Sequence, residues 1–493
     1  MTMNDNDTVA ESSPLASLVR NRGEAAALVE HGRTWSYHEL DAAVDRLATE
    51  MHGDLPPGER VALMLPNGVE LVVCYLACFR SGAVATPLNN RYAAPEVEAA
   101  LRRSRPRWLM VASGRRALLD QLDPEVLDGI RVIAVDGVDS LSGDARVAPA
   151  GGLPAVVADA PAVIFFTSGS TGRPKGVVHT HASAYAMLTS TSAALGDIRS
   201  GDVLQVFEPQ VHVSGFIATF AALAAGATSV VYDGFDPLTY ARALREHRPS
   251  LICTHIDVLA ELLRQPGVHR DWFDSLRGVY TGGDTVPVAL QRRFREVSGL
   301  PIGVGYGMTE AIWLTVYRDG DTDRDGCIGR PVGGARLRVD EATGELLVAG
   351  PMVMQRYWDD DALTAATLAD GWLRTGDRAR RDAAGVWWFT GRLKDIIVRR
   401  TSKITPGEVE AVLQRHPQVA MAAVVGLPDP QEGQVPVAFV VPTSGAAPSP
   451  DELAAFLHGR IADYKIPARL HLRSALPLTS SGKISRGDLT ENL

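Results

Sequence analysis

The sequence predicts a layered α/β protein: a large N-terminal domain over residues 1–394, made of several subdomains with a β-rich one near 333–394, followed by a small α+β domain over 395–493. Three observations carry this expectation. Strand and helix patterns alternate through most of the chain, short strands replace the helices after Gly333, and the composition changes again near Asp395.

The elements follow in order. In "GRTWSYHELDAAVDRLATEM", Ser36 is placed to cap a helix and Glu39 to return the hydrogen bond. "ERVALML" from Glu59 reads as a strand, and "NGVELVVCYLACFRSGA" as a mostly buried helix stopped at Gly82. Residues 105–115 and 130–135 repeat the strand signal. A Gly, Ala, Pro and Asp tract between Asp139 and Pro161 reads as a surface connection into "AVIFF". The alternation resumes through "TSVVYD", "LTYARALREHRP", "SLICTH" and "SLRGVYTGGD". "ARLRVDEATGELLVAG" predicts a hairpin turned at Ala342-Thr343-Gly344, and "GVWWFTGR" a strand reaching Arg392. In the last hundred residues, a helix starts near Pro406, "VAMAAVVGLP" and "VPVAFVVP" are strands, and "SPDELAAFLHGRIADY" is a helix capped by Ser449.

Composition bounds the function. The chain has 493 residues, 46% of them apolar, with 58 acidic and 49 basic side chains and a formal charge of -9. That balance gives no general attraction to nucleic acid or anionic membrane. Cys74, Cys78, Cys253 and Cys327 form no CxxC pair, so the expectation is a reduced, cytoplasmic protein without structural zinc. The first residues carry acids where a secretory leader carries bases. Pro209 to Tyr232 lacks Asp, Glu, Lys and Arg over a span long enough to cross a bilayer; its break at Ala225-Gly226 predicts instead a buried helix followed by a buried strand.

The chemistry concentrates after Phe166, in "TSGSTGRPKG". Gly169, Gly172 and Gly176 let amides turn toward an anion, Thr167, Ser168, Ser170 and Thr171 add hydroxyl donors, and Lys175 brings mobile positive charge. This suits a polyphosphate, although the order departs from the GxxxxGK[ST] phosphate loop because no hydroxyl follows the lysine.

The tract resembles the signature of the adenylate-forming superfamily, which includes acyl-CoA synthetases, luciferases, adenylation domains and some amide ligases. "FEPQVHVSGF" from Phe207, "TGGD" from Thr281, "GYGMTE" from Gly305, "GWLRTGDRAR" from Gly371, "GRLKDII" from Gly391 and "PLTSSGKISR" from Pro477 extend the resemblance in order across nearly the whole chain. It implies ATP and magnesium as cofactors, adenylation of a carboxylic acid with release of pyrophosphate, and transfer of the acyl group to an acceptor. By the same resemblance Glu310 binds magnesium, Thr309 lies near the reacting carboxylate, and Tyr306 covers adenine beside Gly282 and Gly283. Asp377 accepts the ribose hydroxyls with Arg392 as partner, and Lys483 crosses from the small domain to the α-phosphate. Asp395 is the hinge.

The acyl pocket is expected between His212, Val213, Gly215 and Phe216 on one side and Thr281, Gly305, Ala311 and Ile312 on the other; apart from His212 these favour an apolar acid, cyclic and aryl acids included. Where many acyl-CoA synthetases of this superfamily carry two glycines after the hinge, this chain has Arg400 and Thr401, flanked by Arg399 and Lys403. That departure is similar to the amide-forming branch exemplified by coronafacate ligases, and it favours a small amine or amino acid as acceptor. The alternatives are transfer to the CoA thiol and a non-catalytic adenylate-binding protein. Neither nucleic acid nor membrane is an expected partner.

Overall fold

The computed structural model describes residues 13–141, 153, 155–167, 175–283, 286–318, 326–399, 402–429, 431–478 and 484–491. Three sheets organise these residues, two in the large domain and one in the small.

The largest sheet has 14 strands. Its centre is parallel, in the spatial order Ala26–Glu30, Thr228–Val231, Val203–Val206, Leu251–Cys253, Gly278–Gly282 and Ile302–Met308. Beyond Ile302–Met308 every added strand is antiparallel. The β-rich segment read after Gly333 is therefore no separate sheet, because Cys327–Pro331 bonds both to Ala311–Tyr317 and to Trp387–Arg392. The expected hairpin is present: Arg336–Val339 pairs with Glu345–Ala349, Gly344 is left-handed at φ 73°, and Asp340 accepts the amides of Ala342 and Thr343.

A second sheet of seven strands carries the parallel set Pro161–Thr167, Val84–Pro87, Arg60–Met64, Trp108–Ala112 and Arg131–Val135. Helices cover its faces. Tyr37–Asp54 begins with the expected capping box, Glu39 N donating to Ser36 Oγ at 3.1 Å and Ser36 N to Glu39 Oε2 at 2.8 Å. Val69–Ser81 is almost wholly buried and ends where Gly82 turns left-handed at φ 79°.

The long uncharged stretch folds as the helix Val213–Ala225, closed by Gly226 at φ 77°, and the strand Thr228–Val231. Among the described residues no helix is long and apolar enough to cross a membrane. The helix lies in the core: Phe216 and Phe220 join Tyr75, Phe79 and Phe165 in one aromatic cluster.

The small domain has its own five-stranded sheet, centred on the long antiparallel pair Val419–Asp429 and Gly433–Pro442, over a separate apolar core. Ser449 caps its helix as expected, accepting from Glu452 N at 3.1 Å. That helix is half the expected length, Pro450–Leu457, because His458 becomes extended and Gly459 adopts φ 74°.

Candidate active site

Glu208, Thr254, Gly282 and Glu310 all follow or end neighbouring parallel strands, so they gather at one carboxyl edge, where open α/β sheets bind ligands. The two sheets contribute different parts of the site.

The anion-binding tract joins two antiparallel strands. Thr167 ends Pro161–Thr167, Lys175 opens Lys175–Thr180, and the two residues pair directly. The turn between them, with Ser168, Gly169, Ser170, Thr171 and Gly172, lies outside the described residues. A phosphate loop leads into a helix, whereas this tract leads into the strand Lys175–Thr180, so no helix N-terminus follows Lys175 directly.

Lys175 Nζ sits 5.5 Å from the centre of the Tyr357 ring, and the Tyr357 hydroxyl donates to Glu310 Oε1 at 2.7 Å. Thr309 and Glu310 form the two-residue tip of the hairpin Ile302–Met308 and Ala311–Tyr317, with Met308 paired to Ala311. The tip is held from outside: His179 Nε2 donates to the Thr309 carbonyl at 2.8 Å, and Met354 N donates to the Glu310 carbonyl at 2.8 Å. Burial lowers the His179 pKa to about 4, opposed by the Thr309 carbonyl, so the ring stays neutral and keeps this bond.

Back along the strand Ile302–Met308, the Tyr306 hydroxyl donates to Asp377 Oδ2 at 2.7 Å. Arg392 Nε approaches Asp377 Oδ1 at 3.4 Å, and the two residues are cross-strand partners. Burial, and then the Asp377 carboxylate, push the Tyr306 hydroxyl far above its usual range, so it remains a donor. A side chain at Gly282 would meet the Gly305 carbonyl at 2.7 Å, and one at Gly305 would enter the Trp313 ring. These glycines let the strands close, and Trp313 fills the space beside Gly305.

On the acyl side the structure revises the expectation. Phe216 packs into the aromatic core. The space at Gly215 is taken by the Glu208 and Pro209 carbonyls, 2.5 and 2.3 Å from where a Cβ would stand, so the glycine serves helix packing. Ala311 is fully buried, and the Thr281 hydroxyl is buried without a hydrogen-bond partner among the described residues. His212 and Val213 at the helix entrance, and Ile312, stay partly exposed. Burial, and next His255, lower the His212 pKa, with Glu208 opposing.

Tyr357, His179, Glu208 and His255 belong to the site without being marked by any of the sequence motifs' expected roles. Asp395 falls in the short turn Leu393–Asp395. Arg399 is already paired, its Nε 2.8 Å from Glu432 Oε2 and its Nη1 3.0 Å from the Tyr464 carbonyl. Lys403 lies in the strand Ser402–Ile404, while Arg400, Thr401 and Lys483 lie outside the described residues.

The arrangement fits ATP and magnesium. Asp377 offers a carboxylate suited to a ribose diol, and Gly283 leaves an open backbone at φ 88°. Among the described residues no cluster of three or more His, Cys, Asp or Glu forms a metal cage. Glu310 as a lone carboxylate matches magnesium that arrives on a nucleotide and takes most of its ligands from phosphate and water.

A lysine near a carboxylate through Tyr357, with a second carboxylate bonded to Tyr306 and Arg392 on the adjoining strands, is an arrangement that fits an adenylate-forming acid ligase. The chain belongs to the AMP-binding enzyme family: that family's model matches residues 15–358, and the model of the AMP-binding enzyme C-terminal domain matches 408–483. It is 36% identical to a methyl-dioxo-octahydroindenyl-propanoyl:CoA ligase of Mycobacterium tuberculosis, over 99% of each chain. It is 34% identical to the indoleacetate–CoA ligase of Aromatoleum aromaticum, over 93% of each. Among solved structures, the amide bond synthetase McbA of Marinactinospora thermotolerans superposes with a TM-score of 0.87 at 26% identity, covering 98% of this chain and 99% of that one.

Proposed function

We propose that the protein is an acyl-CoA ligase that activates a bulky, ring-bearing carboxylic acid. The observation that carries this reading is the Lys175–Tyr357–Glu310 cluster joined through one strand to Tyr306–Asp377–Arg392. It supplies phosphate charge, a magnesium ligand and a ribose anchor together. The choice of acceptor follows the relatives, whose names specify CoA, and the cyclic acids in those names support the acid class.

In this reading a carboxylate oxygen attacks the α-phosphorus of ATP, and the bond to pyrophosphate breaks with its electron pair leaving on pyrophosphate. Bound magnesium would neutralise phosphate charge. Glu310 orients on the metal side, held by Tyr357 and the Thr309–Glu310 tip. Asp377 and Tyr306 fix the nucleoside, and Lys175 and Lys483 offset charge developing on the phosphates. The CoA sulfur then attacks the acyl carbon, the carbon–oxygen bond to AMP breaks, and the thiol proton passes to solvent. We assign the boundary between the domains to the turn at Asp395, about which the small domain, residues 395–493, would rotate between the two steps.

A second reading, amide formation with an amino acid, draws on the likeness to McbA and on Arg400-Thr401 after the hinge. The two are separated by incubating purified protein with ATP, magnesium, a panel of ring-bearing acids, CoA and amino acids in competition, and resolving products by mass spectrometry. Thioester and AMP are expected. Amide without thioester would replace the first reading by the second.

A further inference from the structure

Glu208 is a buried carboxylate. It follows the strand Val203–Val206, and its neighbours Phe207 and Val211 are core residues. A carboxylate in such a position is costly unless its partners satisfy it. Thr254 Oγ1 donates to Glu208 Oε1 at 2.6 Å and His255 N donates to the same oxygen at 2.9 Å. The second oxygen faces the His255 ring, with Nε2 at 3.4 Å, and among the described residues this imidazole is its ion-pair partner. Thr254 and His255 follow the adjoining strand Leu251–Cys253, so two neighbouring strand ends build the pair.

The other edge of the imidazole borders Gly283. A Cβ placed on Gly283 would lie 3.5 Å from His255 Cε1 and 3.8 Å from Nδ1, so that edge borders the glycine step beside the acyl and adenine region. The side chain is 33% exposed, unlike Glu208 at 7%: the carboxylate is locked in and the ring is accessible. His212, the histidine the sequence marks for the acyl pocket, feels the charge of both.

We propose that His255, held by Glu208, is a specificity-determining residue that reads a hydroxyl group on the ring of the acid. This deepens, and rests on, the reading of the site as one that activates a ring-bearing acid. A carboxylate facing Nε2 draws a proton to that nitrogen, which leaves Nδ1 as an acceptor in the neutral ring; a protonated ring makes Nδ1 a donor. A hydroxyl satisfies either form, because it both donates and accepts. A methyl ether can only accept, and a bare ring does neither. Discrimination then arises because an acid lacking the hydroxyl leaves a desolvated ring nitrogen without a partner. Purely structural capping by Glu208 predicts a different outcome: substitutions at His255 would change stability and leave the choice of acid alone.

The test is adenylation measured as pyrophosphate release, before any acceptor is involved, with 3-(4-hydroxyphenyl)propanoate, its methyl ether and 3-phenylpropanoate, and with the corresponding 3-hydroxy isomers. The wild type is expected to favour one hydroxylated acid over its bare counterpart by roughly tenfold or more in kcat/KM. His255→Phe should reduce that ratio to within about twofold of unity, with the bare acid gaining because the unpartnered ring nitrogen is gone. His255→Asn, whose amide reaches the Nδ1 position, should restore part of the preference. Thermal melts accompany each variant, and because His255 is accessible its replacements are compared as folded proteins. No hydroxyl preference in the wild type, or a preference that survives in His255→Phe, overturns the inference while leaving acid activation intact. Failure of every acid to release pyrophosphate overturns both. Pyrophosphate release with the expected preference but no thioester overturns only the assignment of CoA.

Discussion

Tyr357→Phe removes a single oxygen and keeps the ring, which makes it a clean probe of the proposed magnesium side of the site. That oxygen donates to Glu310 Oε1 at 2.7 Å, and the ring holds Lys175 Nζ 5.5 Å from its centre. A hydrogen bond to a charged group contributes about 1.5–3 kcal/mol, whereas a cation over a partly exposed ring contributes about 0.5–1 kcal/mol. The phenylalanine therefore loses the larger contribution and keeps the smaller. Without its donor the Glu310 carboxylate can rotate away from the direction set by the Thr309–Glu310 tip, so kcat/KM for ATP should fall by roughly tenfold to a hundredfold. The magnesium concentration for half-maximal rate should rise, with the KM of the acid little changed. Tyr357→Leu, which also removes the ring face, should cost a further few-fold, about the size of the cation–ring contribution. Burial, and then Glu310, push the tyrosine hydroxyl above its usual range, so it donates at every working pH and the defect should be flat between about pH 6 and pH 9. Pyrophosphate release titrated with magnesium measures all of this. A Tyr357→Phe enzyme within twofold of wild type across the magnesium titration would refute the claim that Tyr357 positions Glu310.

Asp377→Ala should raise the KM for ATP by about tenfold or more, since it would remove the proposed ribose acceptor and strand the Tyr306 hydroxyl, while the KM of the acid holds; an unchanged KM for ATP would contradict the assignment. Gly305→Ala drives a methyl into the Trp313 ring and should destabilise the protein by about 1–3 kcal/mol, read as a lowered urea midpoint. His179 and His181 carry folded pKa values of about 4 against 6.5 for the free side chain, both lowered by burial. The unfolded chain thus binds more protons between those values, stability is full above about pH 6.5, and it is lost as pH falls toward 4, by up to roughly 3 kcal/mol for each ring. Urea unfolding at a series of pH values should show that slope, and His181→Gln should flatten it.

Features with local causes were legible. The Ser36–Glu39 box, the glycine stops at Gly82 and Gly226 and the Ala342-Thr343-Gly344 turn are each written within a few residues, and each formed. The helix after Ser449 shows the limit: its start is encoded by the cap, but its end depends on the extended His458 and on Gly459, which a helical pattern running to Tyr464 concealed. The motifs that carry Asp377 and Glu310 were legible because they have a recognisable order. Tyr357 was not, since its partner Glu310 lies 47 residues away and "QRYWDD" reads as an ordinary aromatic step. His179 sits in plain view in "VVHTH", but only the return of the chain at residue 309 gives its Nε2 a purpose. Gly215 and Phe216 were misread for the same reason: the turn at Glu208 and Pro209 and the aromatic residues of the helix Val69–Ser81 and the strand Pro161–Thr167 decide what surrounds them.

Charge is a weak guide to the acceptor. The run Arg399, Arg400, Lys403 favours an anionic amino acid when read as free positive charge, but Arg399 is clamped between Glu432 and the Tyr464 carbonyl. It ties the strand Ile397–Arg399 to the segments that follow both long strands of the small domain, and a guanidinium bonded in this way presents little net field to a passing ligand. CoA is itself strongly anionic, so whatever positive charge remains would attract either acceptor. The two acceptors of the proposed readings differ in girth, since CoA presents a long thiol arm and an amino acid does not. If the bulk of Arg400 and Thr401 disfavours CoA, glycine at both positions should speed thioester formation more than amide formation, and equal changes in the two rates would refute that reading of the sequence.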